Sequence, residues 1–447
     1  MEVCRSPVGR FAQVLHRGRQ LAVRWFAPGE IAAEWNTWNL YREIAWYGVF
    51  SAVTTTFVSV FTLRLGGSDT LVGLLTALPA LINVVWQIPA ARLIERQRNL
   101  KRIILVSAVF QRFPSLLIAI VPVLLAHSQA AAVVWLMTLG TIPGAVCNVA
   151  FTTMLADIVP PRDRAQVVSV RRLLLAAATT GAVMVAGRAL DVLPFPMGYQ
   201  LIFAVSFATS LVGVHYIGRI VIPERASLPR PSPKAKGQRP DPRRTLKAVL
   251  QQRRFVGFVG ASFLYHWGLN LAVPLYPIYR VRVLDISDGW IGVLSMVSSA
   301  VSIVAYYAWG RVVRRRDWRL VLFLGALGSC LYPVMTALSR HVGSLLIVAV
   351  IGGVVSPAFN LGLLNGLLEV TPPSRRATYL AVFNTLISVT AFVSPLLGTA
   401  LTGWLGIRSA LTAATFLRLV GLVAYLRVLF GSLDLRAVLS SATRQRE

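Results

Sequence analysis

The chain has 447 residues, 55% hydrophobic and only 14% charged, with a mean hydropathy of +0.64. Soluble domains carry about 25% charged residues, so this balance points to a polytopic membrane protein. The net charge of +28 does not indicate a nucleic-acid partner, because the basic residues fall in short clusters between apolar spans instead of one patch.

The chain opens on a basic and aromatic leader, residues 1–43, that includes Arg10, Arg17, Arg19, Arg24, Trp25 and Phe26. A cleaved signal would place a short apolar core nearer the start, followed by small residues, and none is seen. The leader reads as a cytoplasmic segment, either a membrane-surface helix or a tail.

Crossing a hydrocarbon core of ~30 Å takes about 20 apolar residues. That criterion predicts spans near Ile44–Leu65, Thr70–Ala91, Ile103–Leu125, Ala130–Ala156, Val167–Leu190 and Tyr199–Ile222. A second six lie near Phe255–Tyr279, Gly289–Gly310, Leu320–Leu338, Val342–Leu368, Thr378–Trp404 and Arg408–Phe430. Residues 223–254, rich in Pro, Lys and Arg (Pro229, Pro231, Lys234, Arg243, Arg244), read as a cytoplasmic linker. Residues 44–222 and 255–430 then form two bundles, and 431–447 a tail.

Alternate loops carry the positive charge: Arg92, Arg96, Arg98, Lys101 and Arg102; Arg162 and Arg164; Arg311 to Arg319; Arg375 and Arg376. By the positive-inside rule these loops and both termini are cytoplasmic, in a plasma or inner membrane. Arg280 and Arg282 fall on the outer side, where Asp285 and Asp288 are expected to offset them.

The two halves repeat each other. Ser68-Asp69-Thr70-Leu71-Val72-Gly73 returns as Ser287-Asp288-Gly289-Trp290-Ile291-Gly292. Asp157 to Ala165, around Pro160-Pro161, returns as Glu369 to Ala377, around Pro372-Pro373. Parallel repeats of this kind mark secondary transporters, whose sites lie between the halves. The expected fold is all-α, with twelve transmembrane helices in two pseudo-symmetric six-helix bundles.

With these features the chain resembles the major facilitator superfamily. The place of that family's basic signature is held by Ala91-Arg92-Leu93-Ile94-Glu95-Arg96-Gln97-Arg98 and, in the second half, by Gly310-Arg311-Val312-Val313-Arg314-Arg315-Arg316. The resemblance implies a cavity lined by helices one, four, seven and ten. It also implies that Glu95 docks near the start of the eleventh helix and latches the outward-facing state. Glu95, Arg96, Arg311, Arg375 and Arg376 are the gating candidates.

Polar residues inside spans are expensive and tend to face the bundle interior. A cavity on the repeat axis is lined from matching positions, which selects Tyr47 with His266, Ser51 with Asn270, Asn148 with Asn360, and Arg172 with Asn384. These eight are the substrate-binding candidates, with Arg172 and Asn384 toward the cytoplasmic mouth; the other reading of the amides is helix-to-helix bonding. His266 is the proton-coupling candidate, because no acid occupies a clear mid-span position and Glu43 falls at a span end. Arg112 either binds an anionic group or snorkels, and Arg171 reads as a snorkelling residue.

Three scattered cysteines (Cys4, Cys147, Cys330) offer neither a disulfide framework nor a metal spacing, and no cofactor or metal is expected. The chain lacks Gly-x-x-x-x-Gly-Lys-Ser/Thr and His-Glu-x-x-His, so an enzyme is not expected. The function that follows is secondary transport of a small organic solute, anionic or neutral and amphipathic, by a monomer in the lipid bilayer. The alternative is a non-transporting sensor or scaffold on the same fold.

Overall fold

The computed structural model describes residues 30–96, 99–160, 162–221, 251–315, 317–372 and 376–430. Twelve described helices are long and apolar enough to cross a membrane. In the first half they are α1 (Glu30–Arg64), α2 (Asp69–Arg96), α3 (Leu100–Leu124), α4 (Gln129–Ile158), α5 (Arg164–Val192) and α6 (Met197–Gly218). In the second half α7 (Arg253–Ala272) continues through a short turn (Leu275–Ile278) and a π-helical turn (Tyr279–Val283). It is followed by α8 (Asp288–Arg315), α9 (Trp318–Leu338), α10 (Val342–Glu369), α11 (Arg376–Leu405) and α12 (Ile407–Phe430). Most of the leader, the linker residues Pro229 to Arg244 and the tail lie outside the described residues.

The packing is the repeat made physical. In the first half α1 packs on α5 and α6, α4 on α2 and α3, and α3 on α6. In the second half α7 packs on α11 and α12, α10 on α8 and α9, and α9 on α12. Between the halves α2 meets α11 and α5 meets α8, again a matched pair. The caps repeat too: Asn99 accepts from the Arg102 N–H at the start of α3, and Asp317 from the Arg319 N–H at the start of α9.

Helix α1 begins at Glu30, well before the apolar run at Ile44. A hydropathy criterion misses this extension because its residues are polar and aromatic. Their groups dock on the end of α6: Asn36 donates to the Val221 carbonyl at 2.7 Å and accepts from its N–H at 2.8 Å, and Trp35 donates to the Arg219 carbonyl at 3.1 Å. The extension places Glu43 inside the helix, not at its end.

Candidate functional site

Five of the eight repeat-matched residues lie on the helices α1, α4, α7 and α10 of the implied cavity in half-buried or exposed positions. Tyr47, midway along α1, lines a cavity of about 250 Å³ in the first half together with Asn148 of α4. Phe50 and Thr54 of α1, Asn83 of α2, Gln111, Pro114 and Ser115 of α3, and Met137, Gly140, Thr141, Gly144 and Ala145 of α4 complete the wall. Space for the Gln111 side chain comes from Gly144: a Cβ there would stand 3.2 Å from Gln111 Nε2. Asn360, the repeat partner of Asn148, is exposed on α10 and donates weakly to Ser356 Oγ at 3.4 Å. Ser51 and Asn270 are half-buried, and Asn270 donates to Thr390 Oγ1 of α11 at 2.9 Å, a helix-to-helix bond. Arg172 and Asn384 are exposed on α5 and α11.

His266 is buried. Its Nδ1 lies 2.7 Å from the Ser262 carbonyl, and its ring faces Phe359 at 5.8 Å. A carbonyl only accepts, so Nδ1 carries the proton and Nε2 is the basic nitrogen.

Behind Tyr47 lies an ionic cluster that the sequence did not reveal. Glu43 is buried, with Oε2 3.0 Å from Arg171 Nη2 and Oε1 3.8 Å from Arg112 Nη2. Arg112 also donates to the Ser210 carbonyl of α6 at 3.1 Å and sits 5.5 Å over the Tyr47 ring. Arg171 donates to the Leu40 carbonyl at 2.8 Å and stacks 4.7 Å over Phe151. Arg171 therefore does not snorkel, and Arg112 is turned inward to the Glu43 carboxylate. Both arginines are held inward by Glu43, because a buried guanidinium is tolerated only when paired and hydrogen-bonded. A span count that starts at Ile44 leaves Glu43 outside; the signal that would have found it is the acid a turn before Tyr47.

The matching place in the second half is neutral. Ser262 stands where the register puts Glu43's partner, and it bonds Tyr425 of α12 at 2.8 Å. The buried cation there is Arg418 of α12, which the sequence reading passed over. It donates to the Gly268 carbonyl at 3.2 Å, to the Leu269 carbonyl at 3.4 Å, to the Ser329 carbonyl and to Tyr276 Oη at 3.1 Å. The Leu269 carbonyl is available because the Val273 N–H turns to Asn270, one residue short of the α-helical partner, just before Pro274. Gly268 permits the approach: a Cβ there would meet the Ala414 carbonyl oxygen at 2.6 Å.

The halves are joined at one end. Arg64, ending α1, contacts Asp285 at 3.2 Å and Asp288 at 3.7 Å, and donates to the Ile286 carbonyl at 2.9 Å. Reciprocally, Arg282 beyond α7 contacts Asp69 at 2.6 Å and donates to the Gly67 carbonyl. Thr402 donates to Asp69, Tyr199 donates to Asp288, and Asp191 accepts from Ser287 and from the Gly289 N–H. Val60, Leu63 and Val72 of the first half pack there against Ile278, Val281, Ile291 and Leu294 of the second. The expected offset of Arg280 and Arg282 by Asp285 and Asp288 is thus corrected. Those acids answer Arg64 of the other half, Arg282 answers Asp69, and Arg280 donates to Tyr332 Oη at 3.3 Å. Among the described residues, the hydrogen bonds and ion pairs that join the halves cluster at this end.

At the opposite, basic end, the side chains of Glu95 and Arg96, and Arg375 altogether, lie outside the described residues. Arg311 is exposed and stacks 4.5 Å over Tyr307, and Arg376 is exposed at the start of α11.

The family model of the Major Facilitator Superfamily matches residues 44–342 and 258–442. The chain belongs to the major facilitator superfamily. Over 168 residues it is 28% identical to multidrug resistance protein MdtG of Proteus mirabilis (strain HI4320), covering 35% of this chain and 40% of that protein. The match therefore spans less than half of that relative's length. Among solved structures it is similar to a bacterial homologue of the human lysosomal transporter Spinster in an inward-facing, unoccupied conformation. That likeness has a TM-score of 0.69 and 14% identity, over 90% of this chain and 98% of the other. The nucleoside transporter NupG gives 0.64 and 11%, over 88% and 98%. A D-xylose-proton symporter gives 0.65 and 14%, over 88% and 96%. At such identities these likenesses establish the fold alone. Membership in the superfamily agrees with the twelve apolar helices of a polytopic membrane protein, and the superfamily is one of transporters, not of enzymes.

Proposed function

We propose that this superfamily member carries a small organic solute, anionic or neutral and amphipathic, across the inner membrane by alternating access. In this reading its basic end and both termini face the cytoplasm. The structure then corresponds to the inward-facing state. The observation that carries the reading is the one-ended joining of the halves: ion pairs and an apolar plug at the end opposite the basic loops, with Asn148 and Asn360 exposed. Closing the basic end while parting Arg64 from Asp288 and Arg282 from Asp69 exchanges access without moving the site. The name of the relative MdtG, a multidrug resistance protein, agrees with an amphipathic solute. Tyr47, Asn148 and Asn360 face the solute in this reading, and Nε2 of His266 takes the coupling proton.

The test is labelling of single cysteines at Thr54 and Ser356 from each side of the membrane in the parent and in a variant carrying Asp69→Asn and Asp288→Asn. The variant is expected to gain labelling from the outer side. Equal labelling in both proteins counts against alternating access through this latch. For coupling, flux into proteoliposomes is compared with and without a pH gradient for the parent and His266→Gln. A gradient that still stimulates the variant fully removes His266 from the role and leaves Glu43 as the buried carboxylate to test next.

A further inference from the structure

Many polar side chains in these helices are bonded within the protein. Hydroxyls fold back on their own helix, as Thr62 does on Val58, Thr138 on Val134 and Thr336 on Tyr332, and Asn39 and Asn365 bond carbonyls one turn earlier. Others depart from this: the Thr180 hydroxyl is buried without a partner, and four amide or phenol side chains share one place. Tyr47, Asn83, Gln111 and Asn148 come from four different helices, converge on one cavity of about 250 Å³, and make no side-chain hydrogen bond to any described residue. A polar group in a membrane span that forgoes a protein partner costs several kcal/mol unless another partner is supplied, roughly 2–7 depending on the medium. Their convergence identifies where that partner is taken.

The wall is also uncharged. Arg112 is the nearest cation, and its guanidinium is turned to Glu43 and the Ser210 carbonyl behind Tyr47. Glu43 is shared with Arg171, so the cluster keeps one net positive charge, held behind Tyr47 by Glu43 and the Ser210 and Leu40 carbonyls, and none of its side chains lines the cavity. Asn83, Gln111 and Asn148 each offer both an N–H donor and a carbonyl acceptor, and the Tyr47 hydroxyl offers one of each. Such a set is complementary to a group that also donates and accepts without a formal charge. An ammonium there would be desolvated with the net positive cluster behind it, and a carboxylate would find no charged side chain on the wall to pair with.

We infer that this cavity is the head-group pocket of the transporter and selects an uncharged, amide-like group, with Gln111 and Asn83 as the specificity-determining residues. This narrows the solute of the proposed function to its neutral class and rests on that reading of the site. A volume of about 250 Å³ falls below the ~300–1,000 Å³ of pockets that enclose a whole drug-sized molecule, so the apolar remainder of the solute extends toward the second half.

The experiment uses the full chain in nanodiscs and three probes of one shape: benzamide, benzoate and benzylamine. Binding is read by saturation-transfer NMR and competition. Benzamide is expected to bind about tenfold tighter than either ion, a difference of about 1.4 kcal/mol. Gln111→Glu, which keeps the size, is expected to move the preference toward benzylamine. Gly144→Ala, which crowds the Gln111 amide, is expected to weaken benzamide about threefold while leaving the order of the probes intact. Benzoate binding as tightly as benzamide, no saturable binding of any probe, or an unchanged preference in Gln111→Glu each overturns the inference. Saturable benzamide binding without carrier-mediated exchange in liposomes sinks the transport reading instead and leaves the pocket assignment standing.

Discussion

The two halves share helix order and packing, yet they hold their interiors together by different chemistry. In the first half, α1, α3 and α5 are tied by Glu43, Arg112 and Arg171, three buried charges in one network. The register places Ser262, Cys330 and Phe383 near the corresponding points of the second half. That half is knit by neutral bonds and ring contacts: Tyr425 to Ser262, Tyr265 to the Ala326 carbonyl, and Tyr265 stacked 4.9 Å from Phe359. Among its described residues the deeply buried arginine is Arg418, answered by carbonyls and a phenol at a helix break. The lesson is that a repeat preserves which helices touch, because ridge-and-groove packing depends on side-chain volume and helix length, while the polar chemistry inside is free to diverge. Where that divergence falls matters for function. The ionic cluster backs the cavity, with Arg112 over the Tyr47 ring, and puts no charged side chain on the wall.

The sharpest way to break this comparison is to remove the acid. Glu43→Ala leaves two buried guanidinium groups without a counter-charge, and it is expected to cost about 3–5 kcal/mol of stability in detergent unfolding. The triple variant Glu43→Leu, Arg112→Leu, Arg171→Leu is expected to recover most of that loss. A triple variant as unstable as Glu43→Ala shows that packing, not charge, holds the cluster.

In the second half, Arg418→Met strands several carbonyls around the α7 break, and about 2–3 kcal/mol is expected to be lost in the same measurement. Because no acid is involved, removing a neighbouring acid does not rescue it. Faster amide exchange is expected at Asn270 to Val273 in particular; exchange unchanged there argues that the break is self-supporting.

Tyr425→Phe removes one neutral hydrogen bond and keeps the ring, so about 1 kcal/mol is expected. A loss as large as that of Glu43→Ala erases the distinction between the two interiors.

The smallest effect belongs to the partly exposed pair at the joined end. Arg282→Gln is expected to shift the conformational balance by about 1 kcal/mol or less, since Arg282 keeps 42% of its side-chain surface in solvent. Asp288 is far more enclosed, at 10%, so Asp288→Asn is expected to shift outer-side cysteine labelling more than Arg282→Gln does. The reverse order of labelling rates contradicts the assignment of Asp288 as the inner member of the latch.

Sequence alone determined the architecture. Span length and hydropathy are set by the bilayer and need no tertiary knowledge, and the Ser-Asp and Pro-Pro repeats announced two matched halves. The repeat filter also found Tyr47 and Asn148, which do share a cavity, because symmetry constrains which faces of equivalent helices meet the axis. Only the tertiary structure decided the rest. Glu43 was hidden by an apolar-run criterion that cannot see a polar helix extension docked on α6. Arg171 and Arg112 were ambiguous because snorkelling and pairing leave the same mark in one dimension. Gln111 and Asn83 line that cavity only through the approach of α2 and α3 to α4, where Gly144 makes room. His266 and Asn270 matched the register, yet one is buried against Phe359 and the other bonds Thr390, since a register fixes the helix and the turn but not what the neighbouring helix presents. The pairing of Arg64 with Asp288 and Arg282 with Asp69 lay wholly beyond the sequence, because it depends on which end of the two bundles is closed.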